Sequence, residues 1–195
     1  MAIPAVGWTE LEPPAKRERI LAAARELFSR DGLDAPMPAL AAAIGVGVGS
    51  LYRCYPSKHE LIAALVVQRL EEIRGAVLAA SAPDAEPWRS LREVLGELAE
   101  QQAGDDLMGT ASELVAADPQ VRRARAATMA AFDALLARAQ AAGDVRADAS
   151  SRDVHLLFVA TRAARAVDRT AWRRVLELFI DALAAVPAVP ASSTD

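Results

Sequence analysis

Chemistry-bearing side chains crowd into one short stretch. Gly45-x-Gly47-x-Gly49-Ser50-Leu51-Tyr52-Arg53-Cys54 sets a hydroxyl, a phenol, a guanidinium and the only cysteine within five residues, and Lys58 follows. Such donors suit phosphate oxygens, and a guanidinium can also grip a guanine edge with two parallel hydrogen bonds. The glycine spacing is shared with part of a dinucleotide loop, which needs a strand before it and a parallel sheet around it. Ala39 to Ala43 is instead a helix former, and no Gly-Lys-Ser/Thr follows for a nucleotide phosphate. Catalysis has less to draw on. His59 and His155 are the only histidines, neither in a ligand-spaced motif, and one cysteine cannot build a zinc site. No catalytic residue, metal ligand or cofactor is expected, and the chain is read as a non-enzyme. His59 reads as a solvated residue at a helix start, His155 as a packed or interfacial one.

The elements that must position the stretch are helices. From Pro38 to Lys58 the pattern is two short helices joined by a glycine turn, with a third helix beginning just after Pro56, which is a helix-turn-helix. Leu40, Ala41 and Ile44 give the first helix an apolar face, and Gly45 can take the left-handed conformation that ends it. Leu51 and Tyr55, one turn apart, anchor the second helix inward. Val48, Gly49, Ser50, Tyr52, Arg53 and Cys54 are left over the rest of its surface. Before it, a helix from about Ala15 to Arg30 carries the stripe Ile20, Ala24, Leu27, Phe28 and ends at Gly32. Lys16 and Arg17 at its start are placed to touch phosphate or to be solvated.

Gly45-Val46-Gly47-Val48-Gly49-Ser50-Leu51-Tyr52-Arg53-Cys54-Tyr55-Pro56-Ser57-Lys58-His59-Glu60-Leu61 resembles the signature of the TetR family of transcriptional regulators, commonly small-Gly-Val-Ser-x-Gly-Thr-Leu-Tyr-x-x-Phe-x-x-Lys-x-x-Leu. The likeness extends back to Arg19-Ile20-Leu21-Ala22-Ala23-Ala24-Arg25-Glu26-Leu27-Phe28, so it covers about the first third of the chain. It implies an all-α protein: an N-terminal three-helix DNA-binding domain with a helix-turn-helix, followed by a helical ligand-binding and dimerisation domain. It also implies a homodimer on double-stranded DNA, at a palindromic operator, most simply a repressor released by an unidentified small-molecule effector. By the same resemblance Tyr52 and Lys58 correspond to phosphate-holding positions and Ser50 to a family threonine at the groove. Arg53 reads either as a guanine contact or, slightly favoured, as a phosphate contact. Cys54 stands where relatives often carry histidine, and is either a small groove residue or a redox-sensitive thiol.

This chain also departs from the pattern. Pro36 replaces the usual threonine, Pro38 a polar or basic residue, Gly47 a serine and Val48 often a lysine. Each change removes a contact to DNA, which leaves a second reading: a helical ligand- or partner-binding protein with weakened or lost DNA recognition.

The chain has 195 residues, 53% of them hydrophobic, enough for a substantial core. No apolar run spans a bilayer, no export signal opens the chain, and a lone cysteine makes no internal disulfide, so a cytoplasmic location without membrane attachment is expected. The net charge of −4 argues against indiscriminate coating of nucleic acid. Residues 1–60 balance seven cations against seven carboxylates, so DNA binding would rest on a dimer and a few placed cations.

The domain boundaries expected are a flexible arm over 1–14, the DNA-binding domain over 15–60, the ligand-binding and dimerisation domain over 61–186 and a loose tail over 187–195. Trp8 in the arm is expected to dock on the body. Ser57 and Glu60 form a capping box opening a helix to about Ala80, the natural lever for a signal. After a break at Ser81–Pro87, a helix runs from about Glu86 to Ala103, Gly104–Asp106 restarts the chain, and Asp118-Pro119 opens a helix to about Gly143. Trp88, Gln102, Met108, Glu113, Met129 and Phe132 are candidates for an effector pocket, ordinary core packing being the alternative. Ser150 and Asp153 open the last helix pair. Val154, Leu157, Phe158, Thr161, Trp172, Val175, Phe179 and Leu183 are its candidate dimer-interface residues, since the pair carries more apolar surface than one small core needs.

Overall fold

The computed structural model describes residues 7–103 and 107–185. Among them are a 3-10 turn, Trp8–Glu10, and nine α-helices: α1 Pro13–Asp31, α2 Met37–Ile44, α3 Val48–Cys54, α4 Lys58–Ala80, α5 Pro87–Ala103, α6 Leu107–Leu114, α7 Pro119–Ala141, α8 Ser151–Val167 and α9 Ala171–Leu183. The only strand-like feature among the described residues is one antiparallel bridge, Val145 to Ala184, which ties the end of α9 to the α7–α8 loop. The protein is all-α.

The chain divides into two compact units, residues 1–70 with 105–125, and residues 71–104 with 126–195. The first unit therefore takes in α6 and the start of α7, which the sequence had assigned to the C-terminal part. The reason is packing: Met108, Ala111, Val115 and Val121 are buried in the same core as Ile20, Phe28, Leu40, Leu51, Leu61 and Ile62. The second unit's core is built on Val77, Leu91, Leu95, Phe132, Leu135, Leu136, Val154 and Leu157. There α8 packs along α9, and α5 lies against both.

Sequence signals for helix ends are realised locally. Glu60 N–H donates to Ser57 Oγ at 3.1 Å, and the Ser57 hydroxyl returns a bond to the Glu60 carboxylate. Asp118 Oδ1 accepts from the Gln120 and Val121 N–H groups at 2.8 and 3.2 Å. Asp153 Oδ2 accepts from both the N–H and the hydroxyl of Ser150 at 2.9 Å. The N-terminal expectation needs correction. Within 1–14, the described residues hold the 3-10 turn and the start of α1, because Pro13 and Pro14 occupy the first helical turn, where a missing N–H costs nothing. Trp8 does pack against the first core. The proposed tail, 187–195, and the restart at Gly104–Asp106 lie outside the described residues.

Candidate nucleic-acid interface

Two short helices meet here at 104°, within the range of a helix-turn-helix. Helix α2 stops because Gly45 adopts φ +77°, where a Cβ would be strained. Its N–H donates to Ala42 O at 3.1 Å and the Val46 N–H to Ala41 O at 3.0 Å, the paired bonds of a Schellman stop. Buried Leu40, Ala41 and Ile44 fix α2 on the first core, and Leu51 with Tyr55 fixes α3. Burial pushes the Tyr55 phenol above its ordinary value, partly offset by the positive charge of Arg17.

With Leu51 inward, the opposite side of α3 faces solvent. Val48 is 36% and Tyr52 42% exposed, Gly49 and Arg53 are exposed, and Ser50 and Cys54 are half-buried. Arg53 Nη2 donates to Ser50 Oγ at 2.7 Å. Beside them the Lys58 ammonium sits 5.9 Å from the centre of the Phe28 ring, close enough for cation–π attraction. Arg17 is exposed and Lys16 half-buried in the first turns of α1. Every residue expected to face DNA thus belongs to the first unit. His59, exposed as expected at the start of α4, places Nε2 4.0 Å from Asp118 Oδ2, a neighbour that spacing could not reveal. His155 is exposed on α8 rather than packed within the chain.

The six effector candidates are not gathered in one unit. Met108 is buried in the first core and Glu113 is exposed on α6 of the same unit. Phe132 is buried in the second core, with Trp88 and Met129 packed against it. Gln102 is committed internally: its amide donates to Phe158 O at 3.0 Å and accepts from Thr161 Oγ1 at 3.3 Å. Arg165 Nη1 donates to Gln102 O at 3.2 Å. An open groove in the second unit is lined by Glu100, Gln101, Ala103, Arg169, Trp172 and Arg173, none of them among the six.

Five of the interface candidates, Val154, Leu157, Thr161, Trp172 and Leu183, are buried within the chain itself. Phe158, Val175 and Phe179 are partly buried against the second core. Helix α8 carries a second apolar stripe that the sequence reading missed: Leu156, Val159, Ala160, Ala163 and Val167 are exposed at helical spacing, with Leu178 and Ala182 exposed on α9. The signal was present at i, i+3, i+4, i+7 and i+11, but alanines on both faces of α8 hid which stripe pointed inward.

Among the described residues no group of three or more His, Cys, Asp or Glu side chains is placed to hold a metal ion. No single described helix is long and apolar enough to cross a membrane.

Comparison with known proteins agrees with this geometry. Residues 20–65 match the family described as bacterial regulatory proteins, tetR family, and residues 82–185 match the C-terminal domain of SbtR-like transcriptional regulators. No curated protein matches the chain. Among solved structures, a TetR transcriptional regulator of Streptomyces coelicolor is 30% identical over 87% of this chain and 99% of its own, with a TM-score of 0.65. A TetR regulatory protein of Mycobacterium vanbaalenii is 29% identical over 89% and 97%, with a TM-score of 0.64. A third, described as the molecular basis for control of antibiotic production by a bacterial hormone, is 25% identical over 88% and 98%, with a TM-score of 0.66. With both family models matched in order and a helix-turn-helix at the place the first one covers, this chain belongs to the TetR family of DNA-binding transcriptional regulators.

Proposed function

We propose that the protein is a cytoplasmic repressor that binds a near-palindromic operator as a homodimer and leaves it when a small molecule binds. The observation that carries this reading is the outward face of α3, where Ser50, Tyr52 and Arg53 stand on a helix locked from behind by Leu51. In the proposed complex Val48, Gly49 and Cys54 line the groove, and Lys16, Arg17, Tyr52 and Lys58 hold phosphates. Two copies joined through α8 and α9 would place their α3 helices about 34 Å apart, in successive major grooves. The exposed stripe Leu156, Val159, Ala163 and Val167 is the surface that suits this pairing, with partly buried Phe158, Val175 and Phe179 at its margin.

The effector is proposed to bind in the second unit against Trp88, Met129 and Phe132. The 25%-identical relative associated with a bacterial hormone supports a small diffusible ligand. Release then requires only that the effector bind better when the two α3 helices are wrongly spaced, since affinity for DNA falls by that difference in binding free energy. Helix α4, which contributes Leu61 to the first core and Val77 to the second, is the proposed lever.

Anisotropy titration of a labelled duplex enriched by the purified protein tests the reading. The affinity should fall linearly with salt on logarithmic axes, and Tyr52→Ala with Arg53→Ala should weaken binding about a hundredfold, the size of two lost phosphate or base contacts. Unchanged binding by the double variant would remove α3 from the interface.

A further inference from the structure

We propose that Arg53 reads a guanine in each half-site and that Ser50 is the positioning residue that aims it; this rests on the DNA-binding reading above. Arg53 lies in the last turn of α3, and helical side chains lean toward the N-terminus of their helix, onto the residues three and four positions before. Its guanidinium is held in that direction: Nη2 donates to Ser50 Oγ at 2.7 Å. A Cβ built at Gly49 would lie 3.8 Å from Nη1, so the group lies over the glycine. That carries a planar fork toward the N-terminal half of α3, the half of a recognition helix that meets base edges.

The neighbours strengthen the assignment. Gly47, Val48 and Gly49 bring no polar side chain to this end of the helix, so the guanidinium is its longest donor. The bond to Ser50 uses one of five N–H groups, and Nε, Nη1 and the second Nη2 hydrogen remain for a bidentate contact to O6 and N7. An arginine ordered in advance also loses less freedom on binding. A phosphate contact needs none of this, since a lysine would serve it equally.

The test is selection from a random duplex library with the full chain, sequencing the bound fraction for the wild type and for Arg53→Lys, Ser50→Ala and Ser50→Thr. The wild type should enrich guanine at one position in each half-site. Arg53→Lys, which keeps the charge but not the fork, should still bind and lose about tenfold of that preference, as expected for one bidentate contact. Ser50→Ala should lose part of the preference and Ser50→Thr restore it. An undiminished guanine preference in Arg53→Lys would show that the guanidinium fork does not read the base, and one in Ser50→Ala would remove the positioning role; either overturns the inference while leaving DNA binding intact. A wild type that enriches no sequence would defeat the DNA-binding reading and this inference with it.

Discussion

The guanidinium of Arg138 on α7 donates to the main-chain carbonyl of Ala82 at 3.0 Å, with a shorter bond to Ser81 O and a longer one, 3.4 Å, to Ala85 O. These acceptors follow the C-terminal end of α4, where carbonyls lack helical partners and the helix dipole is negative. A half-buried cation thus closes the C-terminal end of α4, the proposed lever. Replacing Arg138 with alanine should cost about 2 kcal/mol, in keeping with the loss of hydrogen bonds from a charged donor. Urea unfolding with an unchanged slope and a lowered midpoint is the expected result. Arg138→Lys should recover only part, because a point charge cannot span the carbonyls as a fork does.

Helix α8 separates two kinds of hydrophobic residue only two positions apart. Leu157 is 1% exposed and belongs to the core, whereas Val159 is 43% exposed on the outer stripe. Leu157→Ala should lower stability by about 2–5 kcal/mol through the cavity it leaves. Val159→Glu combined with Leu178→Glu should leave the unfolding midpoint of the single chain nearly unchanged. Sedimentation should then show a monomer at micromolar concentration, with operator affinity reduced about a hundredfold as the second half-site contact is lost.

Acid sensitivity should centre partly on the start of α9. The Thr170 N–H, at 2.7 Å, and its hydroxyl, at 2.9 Å, hold the Asp168 carboxyl below the usual carboxylate range. A carboxyl whose folded value is depressed stabilises the fold above its unfolded value, and that contribution is lost as pH falls through the folded one. Stability should therefore decline below about pH 4. Asp168→Asn keeps the acceptor oxygen but cannot titrate, so its melting temperature should fall less steeply across the same window.

Lys58 offers a prediction separable from sequence reading. Its ammonium rests 5.9 Å from the Phe28 ring centre, beside α3 rather than on it. As a phosphate contact it should weaken all duplexes alike when changed to alanine, and the slope of log affinity against log salt should shrink by about one per protomer. A change confined to particular sequences would contradict that role.

What the sequence disclosed follows from how local each cause is. The Gly45 stop, the inward pair Leu51 and Tyr55, and the boxes at Ser57–Glu60 and Ser150–Asp153 depend on residues within a turn or two, so spacing exposed them. Long-range partners had no such trace. Arg138 meets Ser81 across 57 positions and Gln102 meets Thr161 across 59, and neither pairing follows from any period. Gln102, read as an effector contact, is occupied in holding α5 to α8. Helix α8 shows the intermediate case: the stripe through Val154, Leu157 and Thr161 was legible, the one through Leu156, Val159 and Ala163 was overlooked, and only packing shows that the first faces the core.

The central claim is that two copies of α3 engage one duplex together. Hydroxyl-radical footprinting of the purified chain on the duplex it enriches tests this most directly. Two protected patches on one face, centred about 34 Å apart, are predicted. A single patch, or even protection along the whole duplex, would contradict the account.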